Sequence, residues 1–398
     1  MTSFRIELSK VIDEDLAADV EKESVYVSPF LRQLRVTTDR TAVEVEISES
    51  VYENQVRSKV NRYLEAMLSR FRKIESKVHL RNERHNQKPF TLDVYNELKK
   101  RGWLFELGPG YIGLTGPALM LMNTIDETFT KLYRESFGAL DCMYPTFVKP
   151  DLLARCGYFE SHPNTVSMVT HLINDFDAIE QFRQENLNGG ELHISNPDML
   201  ATPHVCLNPA ACFPCYQSLE GQTVGESGCV RTWQGRVFRY ESKNVTGLER
   251  LWEFNVRELV FIGTDEFVTA KRSQVLELIA KQIAEWDLEC QIETATDVFF
   301  ATVSAAKMFW QQSLEVKYEI RLAIELEKQN ILRSVAGGSI NMHGNFFGTK
   351  LNITAADGHP AFTACVGLGI ERWVLAIFAQ HGFNPDCWPA FLRTRVFE

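Results

Sequence analysis

Apolar and polar positions alternate twice in the first fifty residues, at Phe4, Ile6 and Leu8 and again at Val43, Val45 and Ile47. A period of two is the mark of half-buried strands. From Val56 the spacing widens to three and four, through Val60, Leu64, Met67, Leu68, Phe71 and Ile74, which predicts an amphipathic helix with a basic outer face. A second helical pattern runs from about Pro117 to Phe137, with Leu121, Ile125, Phe129, Leu132 and Tyr133 on one side. A third places Ile370, Trp373, Val374, Ile377 and Phe378 at helical spacing and is stopped by Gly382 and Pro385. Between the last two lie β-like runs at Val237–Glu241, Phe254–Gly263 and Thr363–Gly369. The pattern predicts a small α+β module at 1–100, with a polar hinge at Arg81–Pro89, and a larger domain at 101–398.

Composition narrows the class. With 398 residues, 45% apolar and 24% charged, the chain is a globular protein of two or three domains. The formal net charge of −10 argues against a nucleic-acid coat or an anionic-membrane ligand. That charge is uneven: residues 1–50 sum to −5 and residues 51–90 to +6. The N-terminal residues carry no hydrophobic signal, and the uncharged window Leu107–Ile125 is broken by glycines and prolines, so the expectation is a cytoplasmic chain without a membrane span. In that compartment Asn244-Val-Thr and Asn352-Ile-Thr are not glycosylation sites. Nine cysteines are too few for a disulfide scaffold at this length, and the alternatives are buried small hydrophobes or metal ligands.

Gly108-Pro-Gly110-Tyr-Ile-Gly113 matches a dinucleotide fingerprint formally, but no helix starts at its third glycine, and a turn between two strands is the better reading. Charged residues inside β-like runs are more informative. If Val237–Glu241 and Phe254–Gly263 are antiparallel strands, the period of two puts Arg239 and Glu241 on one face and Phe254, Val256 and Glu258 on one face, so that an arginine, two carboxylates and an aromatic ring project from one side of the hairpin. So much charge calls for ligands or partners, unless the hairpin is simply exposed and laced with ion pairs. Gly367 and Gly369 leave a strand face bare, which admits a ligand or another backbone. Arg372 then falls in the first helical turn, where a cation is disfavoured unless an anion such as phosphate balances it. Cys212-Phe-Pro-Cys215 could be a redox pair or half a zinc ribbon, but no second C-x-x-C and no thioredoxin-like pattern accompany it.

These residues carry a family resemblance. Phe238-Arg239-x-Glu241, a loop, and Arg250-x-x-x-Phe254-x-x-x-Glu258 resemble motif 2 of class II aminoacyl-tRNA synthetases, and Gly367-x-Gly369-x-Glu371-Arg372 resembles motif 3. The Tyr144-Pro145 turn looks like motif 1, the usual dimer element, which implies a homodimer. More narrowly, Asn208-Pro-Ala-Ala-Cys212-Phe-Pro and Thr363-Ala-Cys365-Val-Gly-Leu-Gly resemble the amino acid:[carrier protein] ligases, relatives of the zinc-dependent, methanogen-type seryl-tRNA synthetases. The resemblance implies an α+β fold, an antiparallel sheet flanked by helices. It implies that Arg239 and Glu241 hold the α-phosphate and the adenine or amino-acid end of ATP, that Phe254 stacks on adenine, and that Arg250, Glu371 and Arg372 complete the ATP site. It makes Cys212, Glu258 and Cys365 zinc ligands. Two thiolates and a carboxylate also suit zinc chemically, and three protein ligands leave a fourth position open, which the resemblance implies is taken by the α-amino group of the amino acid.

Asn341 and His343, on a run with polar residues at period two, are candidate substrate contacts, although a lone histidine is commonly structural. Lys317-Tyr-Glu319 resembles a family segment near the active site and reads equally as a surface helix. The segment before motif 3 lacks the acidic residue that many class II enzymes use for Mg2+, so the residue that orients that ion is open.

The resulting expectation is a ligase that activates glycine, alanine or serine with ATP, Mg2+ and zinc and passes it to the phosphopantetheine thiol of an acyl carrier protein. The acidic catalytic part argues against tRNA as a partner. The alternatives are a seryl-tRNA synthetase, for which the basic 51–90 segment speaks, and a non-catalytic amino-acid-binding paralogue, against which the retained Arg239, Glu241, Phe254 and Arg372 speak.

Overall fold

The computed structural model describes residues 2–68, 76–86, 88–187, 189–295, 316–327 and 330–398. The chain opens with a three-stranded antiparallel sheet of β1 (Thr2–Glu7), β2 (Leu31–Val36) and β3 (Ala42–Ile47), in the order β1-β3-β2. Two helices cover it, α1 (Glu14–Glu23) and α2 (Glu53–Leu68). Val56, Val60, Leu64 and Met67 of α2 are buried against Val43, Val45 and Ile47 of β3, so both periodicities meet in one small core. Two further apolar positions of that pattern, Phe71 and Ile74, lie outside the described residues.

The second body is built on an eight-stranded sheet. Its strands are β4 (Val78–Asn82), β7 (Leu140–Asp141), β11 (Cys229–Phe238), β12 (Glu253–Gly263), β13 (Cys290–Thr294), β14 (Lys317–Glu327), β15 (Asn330–Gly344) and β16 (Phe362–Gly369). They lie in the order β4-β13-β14-β15-β16-β12-β11-β7, antiparallel except for the last pair. One face packs on α4 (Gly116–Phe137), helix Asp265–Glu285 and helix Ile370–His381, around Phe129, Trp286 and Trp373. Gly138 ends α4 in the left-handed conformation and Gly382 ends the last of these helices at positive φ. The expected helical spans therefore match closely. Arg257 on β12 makes a bidentate ion pair with Asp126 of α4, at 2.8 and 2.5 Å, and so braces the central strand on that helix.

Two expectations change. The described residues of 81–89 do not form a hinge: Arg81 and Asn82 are in β4, and the buried Arg84 guanidinium donates to the carbonyls of Gln380, at 2.5 Å, and Lys88. Together with α3 (Val94–Lys100), whose Val94 and Leu98 enter the large core, this part of the expected 1–100 module belongs with the large sheet. Of the fingerprint glycines, Gly108 ends β5 (Leu104–Gly108), Gly110 lies in the turn and Gly113 is inside β6 (Tyr111–Leu114), so no helix starts at the third glycine. Gly110, at φ +81°, accepts from Trp252 N at 2.8 Å through its carbonyl, and a Cβ there would stand 2.7 Å from that same nitrogen. No helix among the described residues is long and apolar enough to cross a membrane.

Candidate active site

The face of the large sheet opposite its helices borders a cavity of about 1740 Å³. Typical small-molecule pockets hold roughly 300–1,000 Å³, so this one has room for more than a single nucleotide. Its floor comes from β12, β15 and β16, and part of its wall comes from α1 and α2 of the N-terminal layer.

At one end, Cys212, Glu258 and Cys365 bring their donor atoms within 4.8 Å of one another, and all three are buried. The ladder explains two of them. Glu258 pairs with Gly367 across β12 and β16, and Cys365 stands two residues before Gly367, hence on the same face. A Cβ on Gly367 would lie 2.9 Å from Glu258 Oε2, so the bare glycine is the space into which the carboxylate fits. Cys212 arrives on a loop that is tied to the end of β11: Phe238 N donates to Asn208 O at 2.9 Å, and Arg239 Nε to Pro209 O at 2.9 Å.

The electrostatics of this end favour a cation. Burial and the neighbouring Cys365 push the Glu258 carboxyl well above its usual range, against the pull of Arg239. The Cys365 thiol is raised by its hydrogen bond to Cys212 and by burial. A hydrogen bond from Cys365 favours the Cys212 thiolate, but burial and Glu258 raise that group on balance. Three acidic donors share a dry space, and a tetrahedral zinc ion needs donor separations of roughly 3.5–3.8 Å, which this spacing accommodates with small side-chain movements. The donor set thus fits the expected metal. Cys206 and Cys215 are fully buried free thiols outside that group.

Around the metal end the wall is polar. Asn341 sits opposite Cys365 in the β15–β16 ladder, and its Nδ2 lies 3.0 Å from Ser339 Oγ and 3.4 Å from Cys365 Sγ. His343 occupies a register shift, an extra residue between the Met342–Ala364 and Gly344–Thr363 pairs. Its Nδ1 is 3.2 Å from Thr363 Oγ1, and its Nε2 is 3.7 Å from Cys365 Sγ. Lys317-Tyr-Glu319 is the start of β14, not a surface helix, and Lys317 and Glu319 line the cavity.

At the other end stand Arg239, Glu241, Arg250, Phe254 and Arg372. β11 stops at Phe238, so Arg239 and Glu241 do not share a strand face as expected; they belong to the loop that leads to β12. The Arg239 guanidinium lies 5.7 Å from the Phe254 ring centroid, and Arg250 Nη1 is 3.4 Å from Glu241 Oε2. Arg372 Nε donates to Glu249 O at 2.8 Å and its Nη1 to Ala336 O at 3.0 Å. Burial, with repulsion from Arg239 and Arg250, pushes the Arg372 guanidinium down to about 10. Three arginines face the Glu241 and Glu319 carboxylates, and Glu319 is itself paired with Arg321 at 3.0 Å, so a positive surplus remains at the helix N-terminus, an arrangement that a polyphosphate relieves.

Glu371 departs from its expected role. It is buried, outside the cavity wall, and both its carboxylate oxygens accept from Asn255 N at 3.0 Å, with a further bond from Asn255 Nδ2 at 2.7 Å. It clamps β12 to helix Ile370–His381 and is not part of the cavity wall. Sequence reasoning also missed the α1 residues on the cavity wall, and the buried Thr363 and Tyr216 that hold His343 from behind it. Thr363 was within reach, because it precedes Cys365 by two on the same strand face. Tyr216 follows Cys212 by four in the short helix Phe213–Gln217 and stacks on Phe347 at 4.1 Å.

No protein-family model matches the chain. It is 28% identical over 323 residues to the type-2 serine–tRNA ligase of Methanopyrus kandleri, covering 78% of this chain and 61% of that protein. It is also 28% identical over 312 residues to the type-2 serine–tRNA ligase of Methanocaldococcus jannaschii, covering 77% and 60%. The chain thus spans about three fifths of the length of these relatives. Among solved structures, the M. kandleri enzyme in complex with Aquifex aeolicus tRNASec matches with a TM-score of 0.72 and 23% identity, over 99% of this chain and 77% of that one. Cytoplasmic serine–tRNA ligase of Naegleria fowleri in complex with AMP matches with a TM-score of 0.60 and 10% identity, over 86% and 71%.

These relatives overturn two expectations, the carrier-protein acceptor and the exclusion of tRNA as a partner. The physical reason is that the motifs around Cys212 and Cys365 describe the Cys212–Glu258–Cys365 end of the cavity and carry no information about the acceptor. Whole-chain charge was likewise a poor guide, because it averages over a basic segment. What the likeness establishes is architecture: the large sheet and its helices are the fold of the class II aminoacyl-tRNA synthetases.

Proposed function

We propose that the chain activates serine with ATP to seryl-adenylate and transfers the seryl group to the 3′ end of a tRNA. The observation that carries this reading is the presence, in one cavity, of the buried Cys212–Glu258–Cys365 cluster and the surplus-positive arginine group. The kinship with type-2 serine–tRNA ligases supports serine and tRNA over other substrates.

Cys212, Glu258 and Cys365 would hold a zinc ion, which when bound supplies an open coordination position for the amino group of serine. Asn341 and Ser339, on the cavity wall, offer polar partners to a hydroxyl, which alanine lacks. Phe254 offers its ring to adenine beside the Arg239 guanidinium. The serine carboxylate attacks the α-phosphorus, the bond to the bridging oxygen breaks, and pyrophosphate leaves. Arg239, Arg250 and Arg372 balance the charge on the phosphates, with Mg2+ entering as the ATP complex. The 3′-terminal hydroxyl of tRNA then attacks the adenylate carbonyl, and AMP leaves. The volume beyond a nucleotide gives that end of the acceptor a place.

The test is serine-dependent ATP–pyrophosphate exchange, with glycine and alanine as comparators, followed by charging of tRNASer transcripts. Exchange with serine and formation of seryl-tRNA are expected. Absence of exchange with serine refutes the activation step, and exchange without charging refutes the acceptor.

A further inference from the structure

The last turn of α1 belongs to the N-terminal layer, yet Lys22, Glu23 and Tyr26 line the cavity together with Arg239, Arg250 and Arg372. Backbone carbonyls fix this contact. Lys22 O accepts from Asn244 Nδ2 at 3.0 Å and Leu31 O from Lys243 Nζ at 3.1 Å, so the loop that carries Glu241 and Arg250 rests on the residue whose own side chain faces that group. Lys22 is half-buried and makes no ion pair among the described residues. Burial and the nearby Arg250 disfavour its charged form, while Asp19, Glu241 and Glu23 offset part of that cost. A lysine in a last helical turn can serve the helix dipole alone, but that role needs neither this cavity nor a neighbouring arginine.

We propose that Lys22 contacts the β- and γ-phosphates of ATP, and the pyrophosphate that leaves, so that the N-terminal layer completes the nucleotide site. The proposal rests on the activation reading above. Three arginines with two paired carboxylates already form a polyphosphate cradle, and Lys22 closes it from the side that the large sheet does not supply. An ammonium suits this place because its point charge can follow the phosphate chain from substrate to leaving group.

The full-length protein is titrated calorimetrically with ATP, pyrophosphate and AMP, as wild type, K22A and K22R. K22A should weaken ATP and pyrophosphate about tenfold or more and leave AMP within about twofold, while K22R keeps most of the affinity. The KM for ATP in serine-dependent exchange should rise with the KM for serine unchanged. Wild-type affinity of K22A for ATP overturns the proposal, and so does an equal loss of AMP and ATP, which marks a structural role of the side chain in the docking of the two layers. Wild-type protein that binds neither nucleotide overturns the activation reading and this proposal with it.

Discussion

The two ends of the cavity are built by different means. At the metal end, Glu258 and Cys365 stand on adjacent strands paired in register, and the neighbouring Asn341 and His343 come from the next strand of the same ladder. At the phosphate end, Arg239 and Arg250 stand on a loop, Arg372 opens a helix, and the loop rests on carbonyls of a separate layer. A ladder fixes donor positions before any ligand arrives, as a metal site of defined geometry requires. A loop with surplus positive charge is completed by its ligand, which suits a group that enters as triphosphate and leaves as pyrophosphate. The structural contrast predicts that the two ends fail independently.

The largest effects should come from the ladder end. Glu258→Gln keeps the shape of the side chain and removes its charge, and Cys365→Ser weakens the donor. Each should lower zinc content, measured by elemental analysis, and cut serine-dependent exchange by about a thousandfold. Unchanged metal stoichiometry in both would discard the donor set. Next is Arg372→Ala, which should reduce kcat/KM for ATP by about a hundredfold, the scale of a lost transition-state donor, with zinc content intact. A fall in zinc as well would show that the ends are not separable.

Smaller changes sharpen the contrast. In Gly367→Ala the new methyl group would stand 2.9 Å from Glu258 Oε2, so the carboxylate must shift, and metal affinity should fall by about tenfold while AMP binding is unchanged. Asn244→Ala removes one hydrogen bond, worth about 1 kcal/mol, between the loop and α1. It should raise the KM for ATP by about fivefold or less without affecting zinc, and a change in metal affinity instead would break the assignment of that bond to the phosphate end.

The ladder end was also the more legible one. Period-two spacing placed Phe254, Val256 and Glu258 on one face of β12 and Cys365 with the bare Gly367 on one face of β16, both from residues close in sequence, and only the pairing of Glu258 with Gly367 needed the structure. The phosphate end was legible in residue type but not in geometry: Arg239 and Glu241 were expected on a strand that stops at Phe238. Glu371 matched a motif, yet its carboxylate is spent on Asn255, a contact that spans 116 positions. Lys22 carries no motif because its place depends on how two layers dock, and Asn244, its partner, is 222 residues away. The acceptor was misread for a different reason: the motifs around Cys212 and Cys365 carry no information about it, and the acidity of the catalytic part is a sum whereas a docking face is local.

His343 as the extra residue of β15 has an evolutionary corollary. A strand that must keep Asn341 opposite Cys365 and still spend one surplus position before Gly344 can exchange its side chains more freely than its length. Gain or loss of a single codon there would hand the opposite face of the strand to the cavity. Point changes should therefore accumulate in β15 of descendants of this chain, whereas insertions and deletions should be confined to the connections outside it.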